Sequence, residues 1–105
     1  MISKTYVQSR EVWKVKFGFP PEESPQGVEV LNVHLVGDFN EWAHEATPMT
    51  LHEGVYSVTL ELLPGHDHQF RYLVNGEIWC NDWEADAYEP NVYGQDNCVI
   101  ILPES

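Results

Sequence analysis

Basic residues are scarce in this sequence, in which 5 Lys and Arg stand against 17 Asp and Glu and the formal net charge is -12. A chain with this charge repels the phosphates of nucleic acids and the headgroups of anionic lipids. Binding to nucleic acid or to a charged membrane surface is therefore not expected, and the remaining candidate partners are neutral or basic molecules.

Long apolar runs are missing as well. No stretch approaches the ~20 consecutive apolar residues that cross a bilayer, and Met1 to Lys4 do not open an apolar signal segment. We therefore expect a cytoplasmic protein. The two cysteines, Cys80 and Cys98, do not have the spacing of a metal site. They are compatible with a disulfide or with free thiols, and the expected compartment favours free thiols.

The chain has enough apolar surface to fold. Of its 105 residues, 43% are hydrophobic and 12% are aromatic, which distinguishes it from a disordered acidic tail. This length predicts one domain, residues 1–105. When a chain of this size folds, it buries ~65% of the surface that the unfolded chain exposes to water.

Several segments alternate apolar and polar residues, as half-buried strands do. No segment sustains a helical period, and 82–88 has room for one helical turn at most. Turn signals separate the segments, among them the proline-rich loop 20–27 and Asn75-Gly76, a strong hairpin signal. The pattern predicts an all-β, immunoglobulin-like antiparallel β-sandwich. Strands are predicted at 11–19, 31–36, 55–62, 68–75, 78–79 and 97–102, with 1–10, 43–50 and 81–91 as connecting segments.

The strand predicted at 31–36 leads into a sharp bend. In residues 37–42 (GDFNEW), Gly, Asp and Asn tolerate the backbone angles of a tight turn. Phe39 is predicted to turn back to the core, and Trp42 is predicted to lie beyond the bend. There Trp42 either covers the end of a small core or offers a flat surface to a ligand. The buried face of the strand before the bend is predicted to consist of Leu31, Val33 and Leu35.

The order and spacing of several short motifs resemble those of a known family. The motifs are 33–42 (VHLVGDFNEW), 48–49 (PM), 54–56 (GVY), 63–65 (LPG), 68–76 (HQFRYLVNG) and 94–97 (GQDN). Over residues 28–102 the chain resembles the glycogen-binding type of carbohydrate-binding module. That module occurs in the β subunit of AMP-activated protein kinase and as the early-set domain of isoamylases and branching enzymes. The resemblance implies an early-set sandwich that binds α-1,4-glucans such as glycogen or starch, catalyses nothing and needs no cofactor.

The resemblance also carries over a sugar site. The basic residue of the family's site corresponds to Arg71, where the kinase-type pattern has lysine. The two stacking tryptophans of that site correspond to Trp42 and Trp79. The last loop of the site falls on Tyr93, Gln95 and Asn97. These residue types suit a sugar, because a pyranose ring stacks its apolar face on aromatic rings and binds amides or guanidinium groups with its hydroxyl rim.

The sequence departs from the kinase-type pattern near the hairpin. One more residue lies between Gly76 and Trp79 than in that pattern. An added residue turns a strand side chain to the opposite face unless a bulge absorbs it, and Trp83 is then the alternative aromatic. In the last loop, only Asn97 has the same residue type as the kinase-type pattern.

Other polar groupings rank lower. Asp82, Glu84 and Asp86 lack the glycine and the terminal glutamate of an EF-hand loop, and they are interpreted as a solvated acidic loop. His66 and His68 are interpreted as surface histidines. The sequence places no pair of carboxylates in a cleft of the width that glycoside hydrolysis requires. No catalytic or metal site is therefore predicted.

Two functional hypotheses follow. The first is a free-standing α-glucan-binding module. The second is an early-set sandwich that has lost sugar binding and docks a protein, such as a glucan-metabolising enzyme, through its acidic surface or an edge strand. The net charge of -12, the added residue before Trp79 and the substituted contact positions favour the second hypothesis. The two differ in whether Trp42 and Trp79 lie on one exposed face.

Overall fold

The fold consists of two antiparallel sheets packed face to face. A computed structural model describes residues 1–104, which form nine strands and two short 3-10 turns, Pro21–Glu23 and Asp38–Asn40. The predicted all-β, immunoglobulin-like sandwich is confirmed. The strands are β1 (Ile2–Val7), β2 (Val12–Phe19), β3 (Val33–Gly37), β4 (Thr50–His52), β5 (Val55–Leu62), β6 (His66–Val74), β7 (Ile78–Cys80), β8 (Ala87–Pro90) and β9 (Asp96–Leu102).

Strand β6 is the centre of the second sheet. The first sheet has the order β1-β2-β5-β4, and the second has the order β3-β6-β9-β8. Strand β3 pairs with one edge of β6. On the other edge, β9 pairs with residues 66–70 and β7 pairs with residues 72–74. Two short strands therefore share one edge of β6.

Alternate residues of the strands fill the space between the sheets. Phe17 and Phe19 of β2 meet Phe70 and Tyr72 of β6, with ring centroids 5.0 and 5.2 Å apart. None of these four side chains is more than 1% exposed. Aromatic pairs of this kind contribute about 0.5–1.5 kcal/mol beyond the burial of their area. The inward faces predicted for 11–19, 55–62 and 68–75 are confirmed.

A buried carboxylate ties the core to the segment after β7. Asp82 is 3% exposed, and its Oδ2 accepts a hydrogen bond of 2.7 Å from the hydroxyl of Tyr72. The same oxygen lies 2.6 Å from the amino group of Met1. Burial, together with this carboxylate, raises the pKa of Tyr72 above its usual range. Tyr72 therefore serves the core as a neutral hydrogen-bond donor.

Two segments predicted to be connectors, 1–10 and 81–91, contain strands, and β4 begins at the last residue of a third, 43–50. Residues 1–10 include β1, which was missed because Lys4 lies between Ile2 and Tyr6 on its inner face and breaks the apolar alternation. Strand β4 is short and fully exposed, so it has no apolar pattern. Strand β8 lies at the edge of its sheet, where Pro90 is tolerated, and segment 82–88 contains no helical turn.

The prediction for Leu31 is wrong. Its side chain is 69% exposed, and the strand begins only at Val33. The amide oxygen of Asn75 accepts hydrogen bonds from the backbone N–H groups of Leu31 and Asn32, at 2.7 and 3.3 Å. These bonds hold the segment outside the ladder, so that Leu31 does not continue the buried face.

Gly37 provides a test of the close packing at the end of β3. A Cβ atom at this position would lie 2.6 Å from the carbonyl oxygen of Gln69 and 2.7 Å from Cζ of Phe39. We expect Gly37→Ala to lower the free energy of unfolding by about 1–3 kcal/mol, measured by urea denaturation. Gly18→Ala is the control, because its new Cβ would approach no atom closer than 3.4 Å. Equal losses in the two variants would contradict this interpretation.

The two cysteines provide a second test. Cys80 and Cys98 are free and buried, as the sequence favoured, and burial raises the pKa of Cys98 to about 11. Because the thiolate is the reactive form, we expect a disulfide reagent at pH 8 to label neither thiol in the folded protein. In denaturant both should react at once. Rapid labelling under native conditions would instead indicate that β7 or β9 opens locally.

Candidate functional site

The candidate site is a depression on the outer face of the second sheet. Gln69, Arg71 and Leu73 face outward from β6, because Phe70 and Tyr72 between them face the core. The depression has a volume of about 950 Å³, within the range of ~300–1,000 Å³ that is usual for small-ligand sites. It is lined by Trp42, His44, Gln69, Arg71, Trp79, residues 90–93, Gln95 and Asn97.

The structure brings together six of the seven residues that the sequence singled out for a sugar site. These six line the depression: Trp42, Arg71, Trp79, Tyr93, Gln95 and Asn97. The seventh, Trp83, does not line it and lies between β7 and β8, where its side chain is 75% exposed. Sugar binding by the six remains a prediction, but their convergence on one surface is a property of the fold.

The added residue near Trp79 is absorbed by the hairpin turn. Val74 pairs with Ile78, so the turn contains residues 75–77, of which Asn75 and Gly76 have φ angles of 55° and 73°. Trp79 is paired with Leu73 and therefore faces outward. The guanidinium carbon of Arg71 lies 5.7 Å from its ring centroid, within cation-π distance. The added residue therefore does not turn Trp79 away from the depression.

The bend after β3 places Trp42 at the depression. Asn40 holds the bend: its Oδ1 accepts a hydrogen bond of 3.0 Å from the N–H of Gly37, and its Nδ2 donates to two further groups at 2.9 and 3.0 Å. Glu41 and Trp42 both have left-handed backbones, with φ of 58° and 57°, which costs about 1–2 kcal/mol per residue. Phe39 packs against the core as predicted, while Trp42 is 36% exposed.

Arg71 is a buried cation that binds amides instead of carboxylates. It is 8% exposed, and it donates from Nε to Oδ1 of Asn81 and from Nη1 to Oε1 of Gln95, both at 2.7 Å. Within residues 1–104 it forms no ion pair. Burial lowers its pKa, yet a guanidinium remains protonated in proteins. Its Nη2 has no hydrogen-bond partner among the described residues.

Amide side chains that are hydrogen-bonded to one another line one side of the depression. Nδ2 of Asn97 donates to Oε1 of Gln69, and Nδ2 of Asn91 donates to Oδ1 of Asn97, both at 3.1 Å. Oδ1 of Asn91 accepts the backbone N–H groups of Tyr93 and Gln95 at 2.9 and 3.1 Å. Asn91 therefore shapes the loop that presents the side chain of Tyr93, which is 86% exposed.

Sequence reasoning did not include Gln69, His44 or Asn91 in the site. Gln69 had an available signal, since it lies two residues before Arg71 and therefore on the same face of its strand. The ring of His44 packs edge-on against Trp79, with centroids 5.2 Å apart. His44 and Asn91 lie in irregular segments whose periodicity carries no signal.

The depression suits a neutral ligand with a flat apolar face and a polar rim. Aromatic surfaces, amides and one guanidinium line it, whereas its lining includes no carboxylate side chain. Across residues 1–104 there is no cluster of three His, Cys, Asp or Glu side chains that could hold a metal ion. Nor does any helix in that range have the length and apolarity needed to cross a membrane.

Comparison with known families defines the class of protein. A family model described as the glycogen recognition site of AMP-activated protein kinase matches residues 27–104, well over half of the 105-residue chain. The chain therefore belongs to this family of carbohydrate-binding modules. No curated protein matches it.

Asn91 provides a test of how the loop is organised. Asn91→Ala removes both acceptor bonds to the loop backbone, so the amides of Tyr93 and Gln95 should become mobile. We expect their heteronuclear NOE values to fall, with a loss of about 1–2 kcal/mol in the free energy of unfolding. Asn91→Asp is the control, because it keeps the acceptor oxygen and loses only the bond that Nδ2 donates to Asn97. An unchanged NOE in the alanine variant would show that Asn91 does not order this loop.

Proposed function

We propose that the depression binds α-1,4-linked glucans such as glycogen or starch, without catalysis. The observation that carries this proposal is that Trp42 and Trp79 line one depression together with the partly unpaired guanidinium of Arg71. The family to which the chain belongs supports the same ligand class.

Each part of a glucan has a counterpart in the depression. The indole rings of Trp42 and Trp79 offer flat surfaces to the apolar faces of glucose rings. Nη2 of Arg71 and the amides of Gln95 and Asn97 offer donors and acceptors to the hydroxyl groups. Since Arg71 is held by amide oxygens and not by carboxylates, binding a sugar would not break an ion pair.

The binding is expected to be weak. The site is open, and its most exposed aromatic residue, Tyr93, must be ordered when a ligand binds. We expect dissociation constants of roughly micromolar to millimolar, which correspond to about 4–8 kcal/mol. Affinity for a polymer then gains from the many equivalent binding positions along each chain.

The alternative proposal is an interaction domain that has lost sugar binding and docks a protein, such as a glucan-metabolising enzyme. One of its three arguments falls away, because the added residue lies in the hairpin turn and Trp79 faces outward. The net charge of -12 and the substituted contact positions remain in its favour. Glucan binding is the better supported of the two proposals.

Affinity electrophoresis in native gels with and without glycogen tests the proposal. We expect glycogen to retard the wild-type protein and Trp83→Ala, but not Trp42→Ala, because Trp42 lines the depression and Trp83 does not. Thermal melts of all three proteins should agree within a few degrees, since both side chains are substantially exposed.

Two results would count against this assignment. A Trp42→Ala variant that melts tens of degrees early would show that Trp42 is a core residue. Absence of retardation for the wild-type protein would exclude glucan binding and favour the hypothesis of an interaction domain. Co-purification of a stoichiometric protein partner, unaffected by maltooligosaccharide, would then support that alternative.

A further inference from the structure

A second depression adjoins the first on the same outer face. It has a volume of about 690 Å³, and His44 lines both depressions. Leu73 lies at the base of the second depression, where it is 2% exposed. It is paired with Trp79 and lies two residues from Arg71 along β6, a distance of about 6–7 Å. The two depressions are therefore neighbours along one strand.

One lining residue of the second depression has a polar atom without a partner. Nδ1 of His34 has almost no accessible surface and makes no hydrogen bond within the described residues. An unsatisfied buried polar atom costs about 1–3 kcal/mol, and a rotation of the imidazole that turns Nδ1 toward a ligand hydroxyl would recover this cost. The side chain of Asn32, also in the lining, forms no hydrogen bond to any of residues 1–104.

Asn75 has a different role in the same depression. Its Nδ2 donates to the carbonyl of Glu29 at 2.8 Å, and its Oδ1 accepts from Leu31 and Asn32. The side chain is therefore fully used in holding the segment before β3. The side chains left for a ligand are the imidazole of His34, the amide of Asn32 and the exposed carboxylate of Glu45.

We propose that the second depression is a further subsite, in which a glucan that occupies the first depression continues past His44. This inference rests on the proposed function. The exposed alanines at 43 and 46 offer apolar surface above Leu73. An imidazole, an amide and a carboxylate surround this surface, a combination that suits a sugar ring. The carboxylate of Glu45 accepts hydrogen bonds from hydroxyl groups and disfavours an anionic occupant.

The path of the ligand supports this choice. On one side, the first depression is closed by the loop 91–95, which its own hydrogen bonds hold in place. On the other side it meets His44, whose ring stands edge-on to Trp79 and forms the boundary between the two depressions. A glucan that stacks on Trp79 can therefore place its next glucose units in the second depression, beyond His44.

Isothermal titration with maltotriose and maltoheptaose tests the subsite. We expect the wild-type protein to bind maltoheptaose about tenfold more tightly than maltotriose, from one or two added hydrogen bonds and the apolar contact. Ala46→Ile fills the second depression without adding an aromatic platform, and His34→Ala removes the unpaired nitrogen. Both variants should reduce this ratio to about twofold or threefold while keeping the affinity for maltotriose.

The controls separate this inference from the proposed function. Thr59→Ile, on an exposed position of the other sheet, should keep the wild-type ratio. If Ala46→Ile and His34→Ala also keep it, the depression holds only water and the subsite is refuted. A loss of both oligosaccharides in Ala46→Ile refutes a separate subsite as well. If the wild-type protein binds neither sugar, the proposed function fails, and the subsite fails with it.

Discussion

The outer face of this sandwich depends on a buried cation that amide oxygens hold in place. Strands β7 and β9 share one edge of β6 and leave it unpaired beside Arg71. Asn81 fills this gap, accepting from Arg71 and donating to the carbonyl of Asp96 at 2.9 Å. Gln95 holds the guanidinium from the other side. Because an uncompensated buried charge costs several kcal/mol, the segments that supply these amides are fixed together, and the wall of the depression is fixed with them.

The two faces of β6 differ in role: the inner face stabilises the sandwich, and the outer face carries the candidate site. On the inner face, Phe70 and Tyr72 are fully buried and stabilise the sandwich. The outer face carries amides, a guanidinium and exposed aromatic rings, which contribute little to the core. Two consecutive left-handed residues at Glu41 and Trp42 add local strain, which persists only where the surrounding structure compensates for it. Strain of this kind is concentrated at binding sites, which agrees with the position of Trp42.

The sequence was most informative where one physical rule acted alone. Alternation of apolar residues sufficed for the inner faces of β2, β5 and β6, and the resemblance to a family indicated the residues that line the depression. Prediction failed where a second effect intervened. Lys4 interrupts the alternation of β1, and hydrogen bonds to Asn75 withdraw Leu31 from its strand. Asn91 acts through local hydrogen bonds to backbone, which leave no periodic signal.

The sharing of one edge of β6 by two strands also bears on the order of folding. Strand β7 meets β6 through a three-residue turn, whereas β9 meets it only after the long segment that contains β8. Short hairpins close within about 1–10 μs, and closing longer loops costs more entropy. Loop-closure entropy therefore favours formation of the hairpin that carries Trp79 before β9 joins with Gln95 and Asn97 beside it. The complete outer face exists only once β9 is paired, so it depends on contacts between residues far apart in the sequence.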